Sequence, residues 1–142
     1  MKESVMLKRL LLVCILLCTA LGAAAQETDA GSAIGDVISR QLDAFNDRDV
    51  DRAFQFASPT IQGLFVNPGN FGTMVERGYP MVWTNSSARF LERRERGAAI
   101  FQLVQIEDAN GAFHYLEYKM IHLDGGWRID GVVILPPPDL GV

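Results

Sequence analysis

Cysteine is nearly absent from this 142-residue sequence, and its two cysteines, Cys14 and Cys18, both fall within the first 25 residues. The 117 residues that follow contain none, which excludes disulfide bonds and thiolate chemistry from that part of the chain. Its stability therefore has to come from a packed core, and its length is usual for one domain. We expect a single domain over residues 26–142, with its core in 34–135 and a proline-rich tail in 136–142.

No apolar run reaches the roughly 20 residues that a comfortable transmembrane helix needs. The run Leu10–Leu21 follows three basic residues and precedes Ala23-Ala24-Ala25. A basic start, a short apolar run and small residues together are typical of a cleavable signal peptide. Residues 1–25 are therefore predicted to send the protein to the periplasm or outside the cell, with no membrane attachment after cleavage. An uncleaved anchor is the alternative.

Positive charge is also scarce. The predicted leader contains three of the 13 basic residues and one of the 17 acidic residues, which leaves 10 against 16 in the rest of the chain. Because the resulting excess of negative charge repels phosphate backbones and anionic lipids, nucleic acid and anionic membranes are not expected as partners.

Motifs for phosphate binding, metal ligation and nucleophilic catalysis are missing as well. The two histidines, His114 and His122, are eight residues apart on one predicted strand, a separation of about 26 Å. They cannot hold the same ion. We predict no metal and no cofactor.

The first half of the chain is predicted to be helical. Apolar residues recur at helical spacing through the first two segments, and Ser58-Pro59 combines a favoured N-cap with a favoured first helical residue. The charged segment before Gly97 is predicted to be an edge strand. The predicted helices cover 34–45, 49–57, 59–65 and 70–77, and the edge strand covers 90–96.

The second half, residues 100–135, is predicted to be an antiparallel sheet. Asn110-Gly111 is a preferred two-residue hairpin loop, and Asp124-Gly125 closes a second hairpin. The first loop places Leu103 opposite Tyr118, which makes one sheet face almost wholly apolar. That face is predicted to carry Phe101, Leu103, Gln105, Leu116, Tyr118, Met120, His122, Trp127, Ile129 and Val133.

The opposite face of this predicted sheet mixes charged and aliphatic residues. Its aliphatic row, which a monomer would leave exposed, favours a homodimer that buries this face. The row consists of Ile100, Val104, Ile106 and Ile121. An α+β fold follows, with helices packed on the apolar face of a curved antiparallel sheet.

The order of helices followed by an antiparallel sheet resembles the cone-shaped, cystatin-like fold of nuclear transport factor 2-like proteins. Residues 44–51 resemble their first helix-helix junction, and residues 124–129 resemble their last hairpin. With 57–62, 74–80 and 127–132, the segment 34–135 is similar to a bacterial family, domain of unknown function 4864. The resemblance implies a cone-shaped fold but no single activity, since relatives include isomerases, dehydratases, cyclases and binding modules. No catalytic residue is carried over.

Six residues are candidates for a ligand pocket in the cone. Gln105 and Tyr118 are polar residues on the apolar face, where a ligand, water or a helix backbone group has to satisfy them. His122 beside Trp127 is either a base near neutrality or a strand-end histidine bonded to the turn. Tyr79 and Trp83 flank Pro80, and they form either a pocket lip or part of the core.

Two charged groups also have alternative interpretations. Asp130 is predicted opposite Lys119, where an ion pair explains it as well as a catalytic base does. The arginines of the edge strand form either an anion site or a solvated, ion-paired edge, and the interspersed Glu92 and Glu95 favour the edge. These arginines are Arg89, Arg93, Arg94 and Arg96.

The function predicted from these observations is that of an exported, non-catalytic module. It binds a small apolar or amphipathic molecule in the cone, or it serves in protein interaction with a filled cone. The alternative is a small enzyme of the isomerase or dehydratase kind with its site in the same pocket.

The signal-peptide prediction can be tested directly. We expect the exported protein to begin at Gln26, because the small residues before it fit the specificity of signal peptidase. Mass spectrometry of the exported chain measures this, and recovery of full-length chain from the membrane fraction would contradict it.

Overall fold

The computed structural model describes residues 30–139, so the predicted leader at 1–25 and the end of the tail at 140–142 lie outside the described residues. From Ile34 onward, backbone contacts define one compact unit. This unit has helices first and a four-stranded antiparallel sheet after them, which is an α+β architecture. No helix in the described part of the chain is long and apolar enough to cross a membrane.

Five helices occur in the described residues. Helix α1 occupies residues 30–46, and its stripe of Ile34, Ile38, Leu42 and Phe45 is buried as its periodicity predicts. The others are α2 (Val50–Gln55), α3 (Pro59–Phe65), α4 (Pro68–Gly78) and α5 (Pro80–Trp83).

Side-chain caps set where two of these helices begin. The Ser58 Oγ accepts from the Ile61 N–H at 3.2 Å, so α3 has the predicted bounds. Asn67 caps α4 in the same way, accepting from the Asn70 N–H at 2.9 Å, and Pro68 is its first residue. Helix α4 therefore starts two residues before the predicted position, because Asn67-Pro68 acts as a cap rather than as a turn.

The sheet contains β1 (Asn85–Arg96), β2 (Ala99–Asp108), β3 (Phe113–Leu123) and β4 (Gly126–Leu135) in the order of the chain. The predicted edge strand is confirmed, although β1 begins earlier than residue 90. It contains a bulge in which Leu91 and Glu92 together face Leu103.

The predicted register of β2 against β3 is wrong by one residue. Val104 pairs with Leu116 and Gln102 with Tyr118, because the loop has three residues, 109–111. A two-residue loop needs positive φ at both central positions, but only Gly111 adopts it, at 82°.

The carboxylate of Asp108 explains the wider loop. Its Oδ1 accepts from the N–H groups of Asn110 at 2.9 Å and Ala112 at 3.0 Å, and its Oδ2 lies 2.7 Å from the His114 Nε2. The bonds from His114 and the Ala112 backbone lower the pKa of Asp108 below its usual range. The ionised side chain therefore holds the loop in its three-residue form.

This register reverses the predicted faces of β2. Val104 and Ile106 are fully buried in the core beneath the helices, whereas Phe101, Leu103 and Gln105 lie on the opposite face. The row proposed for a dimer contact therefore loses Val104 and Ile106, and this argument for a homodimer is wrong. The homodimer itself stays a prediction.

In the observed register, the buried side chain of Gln102 has hydrogen-bond partners. Its Nε2 donates to the carbonyls of Leu91 at 3.0 Å and Leu103 at 2.9 Å, at the bulge of β1. A polar side chain on the core face thus stabilises the irregular strand beside it.

The second hairpin follows the predicted register only near its turn. Met120 pairs with Ile129 as predicted, but Asp130 is an extra residue in β4, so that Leu116 pairs with Ile134 instead of Val133. The predicted ion pair is present, with the Lys119 Nζ 2.9 Å from the Asp130 Oδ2.

Ser58 joins this bulge to the helices. Its N–H donates to the Ile129 carbonyl at 2.8 Å, and its Oγ donates to the Asp130 Oδ1 at 2.7 Å. Burial alone would raise the pKa of Asp130, but the bonds from Lys119 and Ser58 outweigh it and lower that pKa. One hydroxyl therefore caps α3 and holds that helix against the edge of β4.

Replacing this hydroxyl tests its double role. Ser58→Ala should lower the free energy of unfolding by about 2 kcal/mol, since it removes an N-cap and a donor to a partly buried carboxylate. Urea denaturation measures the change. The control Ser87→Ala, at an exposed strand position, should stay within about 0.5 kcal/mol of the parent. Equal stability of the Ser58 variant and the parent would contradict the assignment.

Candidate functional site

A cavity of about 230 Å³ lies between the helices and the sheet. Helices α1, α3, α4 and α5 form one side of it, and strands β3 and β4 form the other. Its lining is mostly aliphatic and aromatic. The lining residues are Gln41, Phe45, Ala57, Ile61, Leu64, Phe65, Phe71, Met74, Val75, Tyr79, Val82, Tyr118, Ile129, Gly131 and Val132.

The aromatic wall of the cavity centres on Phe71. The ring of Phe71 lies 5.9 Å from the Phe45 ring and 5.8 Å from the Phe65 ring, in tilted and edge-on arrangements that aromatic pairs favour. Gly72 permits this position, because a Cβ there would lie 2.6 Å from a Val50 methyl carbon. Close packing of α4 on α2 therefore sets the position of the wall.

The outer rim of the cavity is formed where α3 meets α4. Leu64 lines the cavity and is 70% exposed, and the neighbouring Val66 is 77% exposed. Val66 has φ of 73°, and the Asn67 N–H donates to the Phe65 carbonyl across it at 2.9 Å, which makes a γ-turn. A β-branched residue is strained in that conformation.

Three polar side chains reach the cavity wall, and two of them have partners within the protein. The Gln41 Nε2 donates to the Ala53 carbonyl at 3.1 Å, and the Tyr79 hydroxyl donates to the Val132 carbonyl at 2.8 Å. Tyr118 is fully buried, and its hydroxyl has no hydrogen-bond partner among the described residues. The other buried side-chain nitrogen and oxygen atoms of residues 30–139 have hydrogen-bond partners.

The electrostatics of the cavity keep the Tyr118 hydroxyl protonated. Burial, and to a lesser degree the nearby Tyr79, raises the pKa of Tyr118 well above its ordinary value. Among the described residues, those that line the cavity include no carboxylate, histidine, lysine or arginine. The Tyr118 phenol therefore stays neutral, and no lining group among these residues is suited to take up a proton near neutral pH.

The structure brings two of the six candidate residues to the cavity, Tyr118 and Tyr79. Trp83 lies behind the wall, with its ring 6.0 Å from the Phe45 ring and the Arg48 guanidinium 4.3 Å above it. Gln105 is on the opposite sheet face, where its Nε2 donates to the Tyr115 hydroxyl at 2.8 Å, because the register of β2 differs from the predicted one.

His122 and Trp127 pack on each other at the end of the second hairpin, 5.0 Å apart, and not in the cavity. His122 instead borders an open, polar groove with Gln55, Asp124 and Arg128. His122 and Trp127 lie at the strand ends next to the turn, beyond the part of the sheet that lines the cavity.

Several residues that line the cavity were not among the six candidates, because their helices were predicted only to cover the sheet. Phe71, Met74 and Val75 recur at helical spacing, and this apolar stripe is the sequence signal that they face the sheet. Gln41 lies within the apolar stripe of α1, where a polar residue indicates a special environment.

Several of the charged candidates have partners within the protein. Asp130 is paired with Lys119 and Ser58. On β1, Arg94 pairs with Glu92 at 2.7 Å, and the Arg96 guanidinium lies 4.8 Å from the centre of the Phe101 ring. Among residues 30–139, no group of three or more His, Cys, Asp or Glu side chains is placed to hold a metal ion.

Comparison with known families identifies the family of the chain. A model of the family described as Domain of unknown function (DUF4864) matches residues 27–142. The chain belongs to this family. No curated protein and no solved structure matches the chain significantly. Membership assigns no activity, so the functional argument rests on the cavity.

The two tyrosines of the cavity allow a matched test. Tyr118→Phe should raise the free energy of unfolding by about 1 kcal/mol, because it removes a buried hydroxyl that has no partner. Tyr79→Phe should lower it by about 1 kcal/mol, because it leaves the Val132 carbonyl without its donor. Urea denaturation measures both, and a destabilised Tyr118 variant would show that its hydroxyl has a partner.

Proposed function

We infer that this protein is a non-catalytic module that binds a small, mostly apolar molecule in the cavity between its helices and its sheet. The observation that carries this inference is a mostly apolar cavity of about 230 Å³ between the helices and the sheet, whose lining among the described residues includes only three polar side chains, Gln41, Tyr79 and Tyr118. Binding pockets commonly combine apolar walls with very few polar groups that orient the ligand.

The fold supports a cone of the nuclear transport factor 2-like kind. Helices precede an open antiparallel sheet, and bulges at Leu91-Glu92 and at Asp130 interrupt two of its strands. Bulges bend the strand that contains them and increase its twist. A curved sheet covered by helices leaves room between the two layers, which is where the cavity lies.

The chemistry of the lining favours binding over catalysis. An isomerase or dehydratase needs a group that takes up a proton within hydrogen-bond reach of its substrate. The two candidates that the sequence offers do not line this cavity: His122 borders the open groove, and Asp130 bonds Lys119 and Ser58. The predicted signal peptide further favours a role outside the cytoplasm.

Binding can be tested with uncharged ring compounds of matching size, such as indane and 1-indanone. A ligand at ten times its Kd stabilises the folded state by about 1.4 kcal/mol, which raises Tm by about 5 °C for a domain of this length. Thermal unfolding measures the shift, and NMR titration should place it at Phe71, Met74 and Tyr118.

A cavity-filling variant provides the control. Ile61→Trp adds a large ring to the lining and should abolish the thermal shift, whereas Phe113→Trp, at an exposed position outside the lining, should retain it. If neither compound shifts Tm or any cavity resonance of the parent protein, the binding function is wrong.

A further inference from the structure

The two edge strands of the sheet are protected to different degrees. Strand β1 carries four arginines and two glutamates, whereas β4 carries no charged residue between Gly131 and Leu135. Charged side chains keep an exposed edge from pairing with other chains, and an uncharged apolar edge pairs readily. In this part of β4, Val133 is 57% exposed and Ile134 is 43% exposed. The uncharged end of β4 is therefore the edge that is open to another chain.

The first part of the β4 edge is covered by the chain itself. At Ile129, the N–H donates to the Phe56 carbonyl at 2.9 Å, and the carbonyl accepts from the Ser58 N–H at 2.8 Å. At Val132, the carbonyl accepts from the Tyr79 hydroxyl at 2.8 Å. Intramolecular cover of this edge thus ends at the Val132 carbonyl.

The backbone groups that remain open lie between Val132 and Pro136. Groups of an antiparallel strand point alternately toward the neighbouring strand and away from it, so Ile134 points away from β3 just as Val132 does. The N–H groups of Val132 and Ile134 have no hydrogen-bond partner among residues 30–139. The carbonyls of Ile134 and the exposed Pro136 are open in the same way, and proline itself has no N–H.

This set of donors and acceptors is complementary to itself. When two copies of the chain pair antiparallel with Ile134 opposite Ile134, the N–H of each Ile134 meets the carbonyl of the other. In the same register, the Val132 N–H meets the Pro136 carbonyl of the second copy. Pro136 has no N–H to offer the Val132 carbonyl, and that carbonyl needs none because Tyr79 already donates to it. A two-fold axis at Ile134 therefore leaves no donor of this segment without an acceptor.

Side chains and charge agree with this pairing. The same register places the exposed Val133 opposite Leu135 of the second copy, where an apolar cross-strand pair forms. No charged residue lies in 131–138, so nothing at the contact repels an identical copy. The prolines at 136–138 cannot extend the ladder, which limits the contact to one short segment. The pairing is therefore closed after two copies.

We propose that the protein forms a homodimer by antiparallel pairing of residues 132–136 of β4 across a two-fold axis at Ile134. The two four-stranded sheets then join into one continuous eight-stranded sheet. This interface lies at the edge of the sheet, not on the face that the sequence predicted for a dimer. The proposal goes beyond the binding function and does not depend on it.

Charge exchange at the axis tests the proposal. The parent protein should sediment as a dimer at high micromolar concentration. Ile134→Lys and Ile134→Glu each place like charges directly opposite one another and should weaken self-association at least about tenfold. An equal mixture of the two variants should recover the dimer, because opposite charges then face each other. The control Leu123→Lys, at an exposed position at the other end of β3, should remain dimeric.

Amide hydrogen exchange provides a readout that needs no variant. The N–H groups of Val132 and Ile134 should exchange slowly in the concentrated dimer and faster on dilution, because their acceptors belong to the second copy. The Val133 N–H is the internal control. It points toward Glu117 of β3, so its exchange should not change with concentration.

Each outcome decides the proposal. A monomeric parent protein at high micromolar concentration overturns it and leaves this edge to a strand of a different protein. A dimer that persists in both folded Ile134 variants, or folded variants that do not associate when mixed, also overturns it. If the variants do not fold, the exchange experiment decides: rapid exchange of Val132 and Ile134 in the parent dimer shows that the contact lies elsewhere.

Discussion

The carboxylate of Asp108 is the interaction on which the register of the central strand pair depends. By accepting from two loop N–H groups, it holds a three-residue loop, and the loop sets β2 against β3. A slip of one residue would turn Val104 and Ile106 away from the helices. It would also remove Gln102 from the β1 bulge, so the carboxylate beside the loop influences which residues of β2 face the core.

The parts of the fold that could be predicted from the sequence depend on local signals. Ser58-Pro59 sets the start of α3, and Asp124-Gly125 sets the pairing nearest the second turn. Asn110-Gly111 is compatible with loops of two or three residues, since Gly111 has positive φ in both. Whether the loop has two or three residues depends on the Asp108 side chain and on which residues the sheet buries. The conformational preferences of Asn110 and Gly111 do not report either of these.

The residues of the site could be predicted only in part, because local patterns place some of them and long-range contacts place the others. Tyr118 could be assigned to the core face because β3 alternates regularly, whereas the face of Gln105 depended on the register of β2. The bulge at Asp130 depends on Ser58, which is 72 residues away in sequence, and no local pattern reveals such a contact. The helical part of the lining came from residues such as Phe71, whose periodicity indicates burial but not the space beside it.

Two features that cost stability are located at the cavity. The Tyr118 hydroxyl is buried without a partner among residues 30–139, and Val66 has a strained backbone between the two helices that supply Leu64, Phe65 and Phe71 to the lining. Each costs on the order of 1–3 kcal/mol. Ser58, Asn67 and Gln102 follow local preferences and hold the framework, whereas Val66 departs from them beside the cavity. This distribution supports the proposed binding function, because natural proteins break local rules mainly at functional sites.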